Sequence, residues 1–139
     1  MIKIQDNIHK SYEDYLKAIY LISKSKKGGW VSNSDISKFL KIKPSSVTDM
    51  LYKLREKDYI NWKPRIKIRL TEKGKIIAKQ IIKSFKFLKI FLTDVLNLND
   101  NSTLDEFCCK VEHFLTPQIL DALKSLIIEI RGFEPKLIN

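Results

Sequence analysis

Three residues toward the rear of the chain have types and spacing that suit metal chemistry. Cys109, Glu112 and His113 stand at i, i+3 and i+4, and in a helix that spacing projects all three from one face. A thiolate, a carboxylate and an imidazole together form a ligand set for a divalent first-row transition metal. Each also has a plainer reading. Cysteine is commonly a small buried apolar residue, and an adjacent Glu-His pair needs no ligand role. Cys108 points about 100° away around the same helix and reads as core. His9 has no partner at ligand spacing and reads as solvated. The two histidines of the chain are far apart in sequence and the glycines number only four. There is thus neither a nucleophile–base pair nor a phosphate cradle, and the metal-type face lies on a helix instead of a loop-lined cleft. An enzyme, or any protein acting on a small organic substrate, is not expected.

Charge points to a different kind of partner. The 139 residues carry a formal net charge of +10, and residues 1–71 hold sixteen Lys/Arg against seven Asp/Glu, whereas residues 72–139 are nearly balanced. A basic front half suggests a polyanion held there. From Arg65 to Leu70 the sequence alternates strictly, with Arg65, Lys67 and Arg69 on one side and Ile66, Ile68 and Leu70 on the other. That period of two reads as a strand with one wet face. With Lys63-Pro64 as the turn, residues 59–70 form a small basic hairpin.

The elements that position these residues follow from capping and helical spacing. Ser11 caps a first helix, with Asp14 at its third position as in a capping box, so the carboxylate of Asp14 has a structural explanation of its own. Ser32 caps a short helix through Leu40, with Asp35 three residues on. Pro44 fits the first position of a third helix, which buries Val47, Met50, Leu51 and Leu54 and runs to about Lys57. After the hairpin, Thr71-Glu72 opens a long helix over about 72–96. Thr103 caps another to about Leu115, and Thr116-Pro117 begins the last, to about Ile130. The expected architecture is mainly α: a winged helix-turn-helix over residues 1–71 and a helical lobe over 72–139. Double-stranded DNA is the expected partner. The second helix of the turn is offered to base edges in the major groove, and hairpin cations lie against flanking phosphates. The DNA-contacting residues read this way are Lys43, Ser45, Ser46, Thr48, Lys53, Lys63, Arg65 and Lys67. Asp49 reads as an i+4 partner of Lys53, and Tyr52 as either a contact or a packing residue. The rear helices carry Phe85, Phe87, Phe91, Phe107, Phe114 and Leu120, more apolar bulk than so small a lobe can bury alone, so a homodimer reading a two-fold operator is expected.

Apolar residues at 44% and charged residues at 30% describe a core-forming soluble chain. The adjacent cysteines do not suit a disulfide scaffold, and the first residues lack an apolar signal core. The stretch from Ile76 to Leu98 is interrupted by Lys79, Lys83, Lys86, Lys89 and Asp94, so no membrane span is expected. A cytoplasmic location follows.

The segments Ser11–Tyr20, Val31–Ile36, Lys43–Thr48, Leu70–Gly74 and Glu112-His113 occur together in an order and spacing that resembles the diphtheria-toxin-repressor family of metal-dependent regulators. The similarity covers roughly residues 8–130 and is closest to the short manganese-transport regulators, which lack an SH3-like C-terminal domain. The resemblance implies an N-terminal lobe that binds operator DNA and rear helices that form a homodimer. It also implies a metal between lobes that fixes the spacing of the two DNA-reading units. Carried over by position, Asp14, Cys109, Glu112 and His113 form a mononuclear site. Lys17, Phe85 and Lys89 stand where the family has further ligands, which argues against a binuclear one. The thiolate leans the choice toward Fe²⁺, with Co²⁺, Zn²⁺ or Mn²⁺ as alternatives. Two readings follow: a metal-responsive regulator, most simply a repressor of metal-homeostasis genes, or a winged-helix DNA-binding or dimeric interaction protein that has lost the metal switch.

Overall fold

Local capping decides where the first helices begin. The computed structural model describes residues 11–63 and 65–132; His9 and the Pro64 of the expected turn lie outside them. Helix α1 (Tyr12–Ser23) follows a capping box in which the Asp14 amide donates to Ser11 Oγ at 3.3 Å and the Ser11 amide donates to Asp14 Oδ2 at 3.0 Å. Helix α2 (Asn33–Leu40) repeats the device with Ser32 and Asp35, at 3.0 and 2.9 Å. The Asp35 carboxyl is held below the usual carboxylate range, chiefly by the Ser32 amide, with the Ser32 hydroxyl and the Lys26 ammonium adding to it against partial burial. This cap's contribution is therefore present above the ordinary carboxylate range and is lost as pH falls through the lowered value. A left-handed Lys41 (φ 56°) ends α2. Three residues on, Pro44 starts α3 (Pro44–Glu56) at the helix position where a missing N–H costs nothing.

Strand β1 (Ile60–Asn61) pairs antiparallel with β2 (Arg69–Leu70), Ile60 opposite Leu70 and Asn61 opposite Arg69. Val31 adds a third rung by exchanging backbone hydrogen bonds with Ile68, at 2.9 and 2.6 Å. The strand expected from Arg65 onward is therefore shorter than its alternation suggested. Arg65 sits at φ 67°, a left-handed conformation that turns the chain, and the Ile66 amide donates back to the Lys63 carbonyl at 3.0 Å. Ile66 is exposed, and only Ile68 and Leu70 reach the core.

That core joins Leu16 and Ile19 of α1, Ile36 of α2, Val47, Leu51 and Leu54 of α3, and Val31, Ile60 and Ile68 of the sheet. Met50, expected in it, is only partly buried. The first turns of α4 (Glu72–Ile90) belong to the same unit through Ala78; the chain divides into compact units between Lys79 and Gln80, inside α4. Gly74 in the first turn of α4 shows why that position takes no side chain: a Cβ there would lie 2.2 Å from the Tyr59 carbonyl oxygen. Alanine is normally the better helix residue by roughly 1 kcal/mol, yet Gly74→Ala is expected to lower stability by about 1–3 kcal/mol, because rigid backbone must move. Urea denaturation checks it.

In the second unit, Leu88 and Leu92 of the long helical segment pack with Leu104 and Cys108, and Phe87 packs with Leu120 and Ile127. The α-helical part of that segment ends at Ile90 and a π-helical turn covers Phe91–Val95. Helix α5 (Asn101–Val111) starts earlier than expected, because Asp100 and not Thr103 is its cap: the Thr103 amide donates to Asp100 Oδ1 at 3.2 Å. It also ends earlier, and Glu112–Phe114 form a 3-10 turn. Helix α6 (Pro117–Arg131) begins at the Thr116 cap and closes on Gly132 at φ 73°. Of the aromatics expected to outnumber the lobe's core, Phe87 is buried, Phe85 and Phe91 are partly so, and Phe107 and Phe114 are exposed. Among the described residues no helix is long and apolar enough to cross a membrane.

Candidate DNA-reading face and metal donors

In the first unit, the residues read as DNA contacts gather on two elements. Lys43, Ser45, Ser46 and Lys53 are exposed on or beside α3, and Lys63, Arg65 and Lys67 are exposed on the segment between β1 and β2. A cleft of about 530 Å³ opens between them, bounded by Ser32 and Asn33 at the start of α2, Thr48 of α3, and Trp62, Arg65 and Lys67 of the wing. Its rim is cationic on the wing side, as a phosphate-lined partner requires. Thr48 is committed inward: its hydroxyl donates to the Pro44 carbonyl at 3.1 Å and accepts from Asn33 Nδ2 at 2.9 Å. Its donor is thus spent within the protein, and its methyl group is what remains for apolar contact with a thymine.

Sequence reasoning left Tyr52 open between a contact and a packing residue, and did not foresee the partners that brace this face. Tyr52 meets Trp62 edge to face, with ring centroids 4.9 Å apart, and the Arg55 guanidinium lies over both rings at 5.2 and 5.3 Å. Tyr52 is therefore a packing residue that ties α3 to the wing, worth roughly 0.5–1.5 kcal/mol beyond its buried area. Asn33 does the same for α2 and α3 through Thr48. Neither pairing has a local sequence signal, since the partners are ten and fifteen residues apart. Deeper in, burial and the Asp49 carboxylate raise the Tyr15 phenol above its ordinary range, so it stays neutral.

The second unit contributes the rear donors. Glu112 is 1% exposed, and its Oε1 lies 3.6 Å from His113 Nε2. A carboxylate is seldom buried without a compensating cation or hydrogen bonds, and this pair presents an oxygen and a nitrogen donor side by side. The face expected to unite Cys109 with them is not one environment. The α-helix ends at Val111, so the α-helical spacing does not continue through Glu112 and His113, and Cys109 is exposed while Glu112 is buried. Cys108 is fully buried as expected, and burial, followed by the Asp105 carboxylate, pushes its thiol up, which keeps it protonated and in the core. In the first unit, Asp14 Oδ2 serves the capping box. The donor set of carboxylates and imidazole fits a divalent transition metal.

Two family models match successive parts of the chain. Residues 7–67 match the model of the iron dependent repressor N-terminal DNA binding domain, and residues 71–131 match that of the iron dependent repressor metal binding and dimerisation domain. An uncharacterized HTH-type transcriptional regulator of Methanocaldococcus jannaschii is 45% identical over 115 residues, covering 83% of this chain and 90% of its own length. The HTH-type transcriptional regulator MntR of Bacillus pumilus is 32% identical, over 84% of this chain and 78% of its own. The crystal structure of IdeR from T. acidophilum superposes with a TM-score of 0.72 at 28% identity, over 91% of this chain. The chain spans 56% of that protein's length. A DNA-binding lobe built on a winged helix-turn-helix, followed by a helical metal-binding and dimerisation lobe, makes this chain a member of the iron dependent repressor family of transcriptional regulators.

Proposed function

We propose that this chain is a metal-responsive repressor that binds a two-fold operator as a homodimer and controls genes of metal homeostasis. The observation that carries the metal part is the buried Glu112 carboxylate beside His113, within a segment matched to a metal-binding domain. Glu112 and His113 are the central donors of a mononuclear set, with Asp14 as a further oxygen donor; Cys109, expected as a fourth, is exposed and stands apart from the buried Glu112. A divalent cation beside the Glu112 carboxylate and the His113 imidazole is the ligand this donor set suits, and a preference for Fe²⁺, Co²⁺ or Zn²⁺ over Mn²⁺ depends on whether the Cys109 thiolate joins it as a soft donor. The effect on DNA affinity equals the difference in metal affinity between the conformations that do and do not fit the operator. Lys43, Ser45, Ser46, Thr48 and Lys53 meet the DNA from α3, and Lys63, Arg65 and Lys67 from the wing. The exposed Phe107, Phe114, Ile119 and Ile130 of the second unit support an apolar self-contact.

The test is titration of an operator selected from randomised duplex DNA, with and without Fe²⁺ or Co²⁺. Metal is expected to tighten binding about 5- to 150-fold, the range of typical allosteric couplings. Equal affinity in both conditions selects the second reading, a winged-helix protein that kept the fold and lost the switch. A thermal-shift series over Mn²⁺, Fe²⁺, Co²⁺, Ni²⁺ and Zn²⁺ ranks the metals, with Cys109→Ser reporting whether the soft donor sets the order.

A further inference from the structure

A second cation does not fit this chain, and the residues that exclude it are organised. Phe85, at a position where the resembled family has a histidine, has no lone pair to give. It packs instead against the cluster of Leu88, Leu92, Leu104 and Cys108 that joins α4 and the turn after it to α5. Lys89, one helical turn further along α4 at a glutamate position of that family, brings a positive charge where a cation needs a negative one. That ammonium is held in an ion pair with Asp105 of α5, and the Lys89 side chain is 29% exposed. A cation that links two helices does so by placing positive charge against carboxylates from each. An ammonium on a covalent stem places one such charge without being able to dissociate.

We propose that the Lys89–Asp105 ion pair, together with the packing of Phe85, replaces a second cation with a metal-free fastening of α4 to α5. The protein then takes one cation per chain, and this fastening is present whether metal is bound or not. The count of one rests on the metal site proposed above; the fastening does not. Exposed ion pairs usually contribute little. This one lies between segments already held by Leu88, Leu92, Leu104 and Cys108, so the lysine is partly withdrawn from solvent and little further ordering is needed to form it.

Two measurements on the full chain test the proposal separately. In chelator, urea unfolding of the parent, Lys89→Met, Asp105→Asn and the double variant reads the ion pair. Each single change is expected to lower the midpoint, and the double change to lower it no further than the larger single one. Equilibrium dialysis against Co²⁺ reads the count: one equivalent per chain in the parent and two in Phe85→His/Lys89→Glu. Two equivalents in the parent, or fully additive midpoint losses, overturn the proposal. No bound metal with the midpoint coupling intact overturns the metal reading above and supports the fastening.

Discussion

Replacing His113 with alanine is expected to leave operator affinity at its metal-free value whatever the Fe²⁺ or Co²⁺ concentration, while the parent tightens about 5- to 150-fold. The reason lies in what remains. Glu112 is buried with its carboxylate 3.6 Å from the imidazole, so removing His113 takes away the nitrogen donor that stands beside the carboxylate. A cation that has lost a nitrogen ligand of this kind binds the folded chain weakly. It then has no differential affinity with which to shift the DNA-competent conformation. Glu112→Gln is the partner experiment. It keeps the shape, removes the charge, and is expected to abolish the metal response as fully as His113→Ala. A variant that stays folded and is deaf to metal separates a ligand from a merely structural carboxylate. If Glu112→Gln responds to metal like the parent, the site is elsewhere.

Much of this protein is written in interactions between residues three or four apart, and those parts are legible in its sequence. Ser11 with Asp14 and Ser32 with Asp35 are complete capping boxes within four residues of sequence, and both helices start where the pairs place them. Pro44 and Thr116-Pro117 mark two more helix starts for the same local reason. Expectation and structure part where two local signals compete. Thr103 is a plausible cap, but Asp100 stands three residues before it with a carboxylate that accepts from its amide, and its pKa is lowered chiefly by that backbone bond. The alternation from Arg65 to Leu70 is regular in residue type, yet a left-handed Arg65 breaks it in space. A pattern of side chains carries no information about a single positive φ at a residue other than glycine or asparagine. The donor residues are legible as residue types, and their geometry is not. Cys109, Glu112 and His113 share a face only if the α-helix continues, and it stops at Val111. The pairings that brace the DNA-reading face, Tyr52 with Trp62 and Asn33 with Thr48, are products of tertiary packing and have no periodic signature.

The wing supplies the second large effect. Arg65 and Lys67 flank the cleft against α2 and α3 and carry two cations with little apolar burial, so removing them is expected to weaken binding to operator and non-specific duplex alike. Cations that neutralise phosphates supply affinity by releasing counterions. The slope of log affinity against log salt should therefore flatten by roughly one unit for each phosphate left without its cation, or about two for the pair. At low salt that amounts to at least ~10-fold in affinity, and the parent and variant curves converge as salt rises. The substitution at 65 has to respect the backbone. Arg65 holds φ 67°, where an alanine is strained and a glycine is at ease, so Arg65→Gly with Lys67→Ala removes the charge without unsettling the turn and is expected to leave thermal stability unchanged or slightly raised. Thr48→Val supplies the contrast on α3. It gives up the bonds to the Pro44 carbonyl and to Asn33 at the edge of the cleft, and is expected to change discrimination between sites while leaving the salt slope alone. A wing variant that binds non-specific duplex as tightly as the parent, with an unchanged slope, removes residues 65–67 from the DNA interface and returns the affinity to α3 alone.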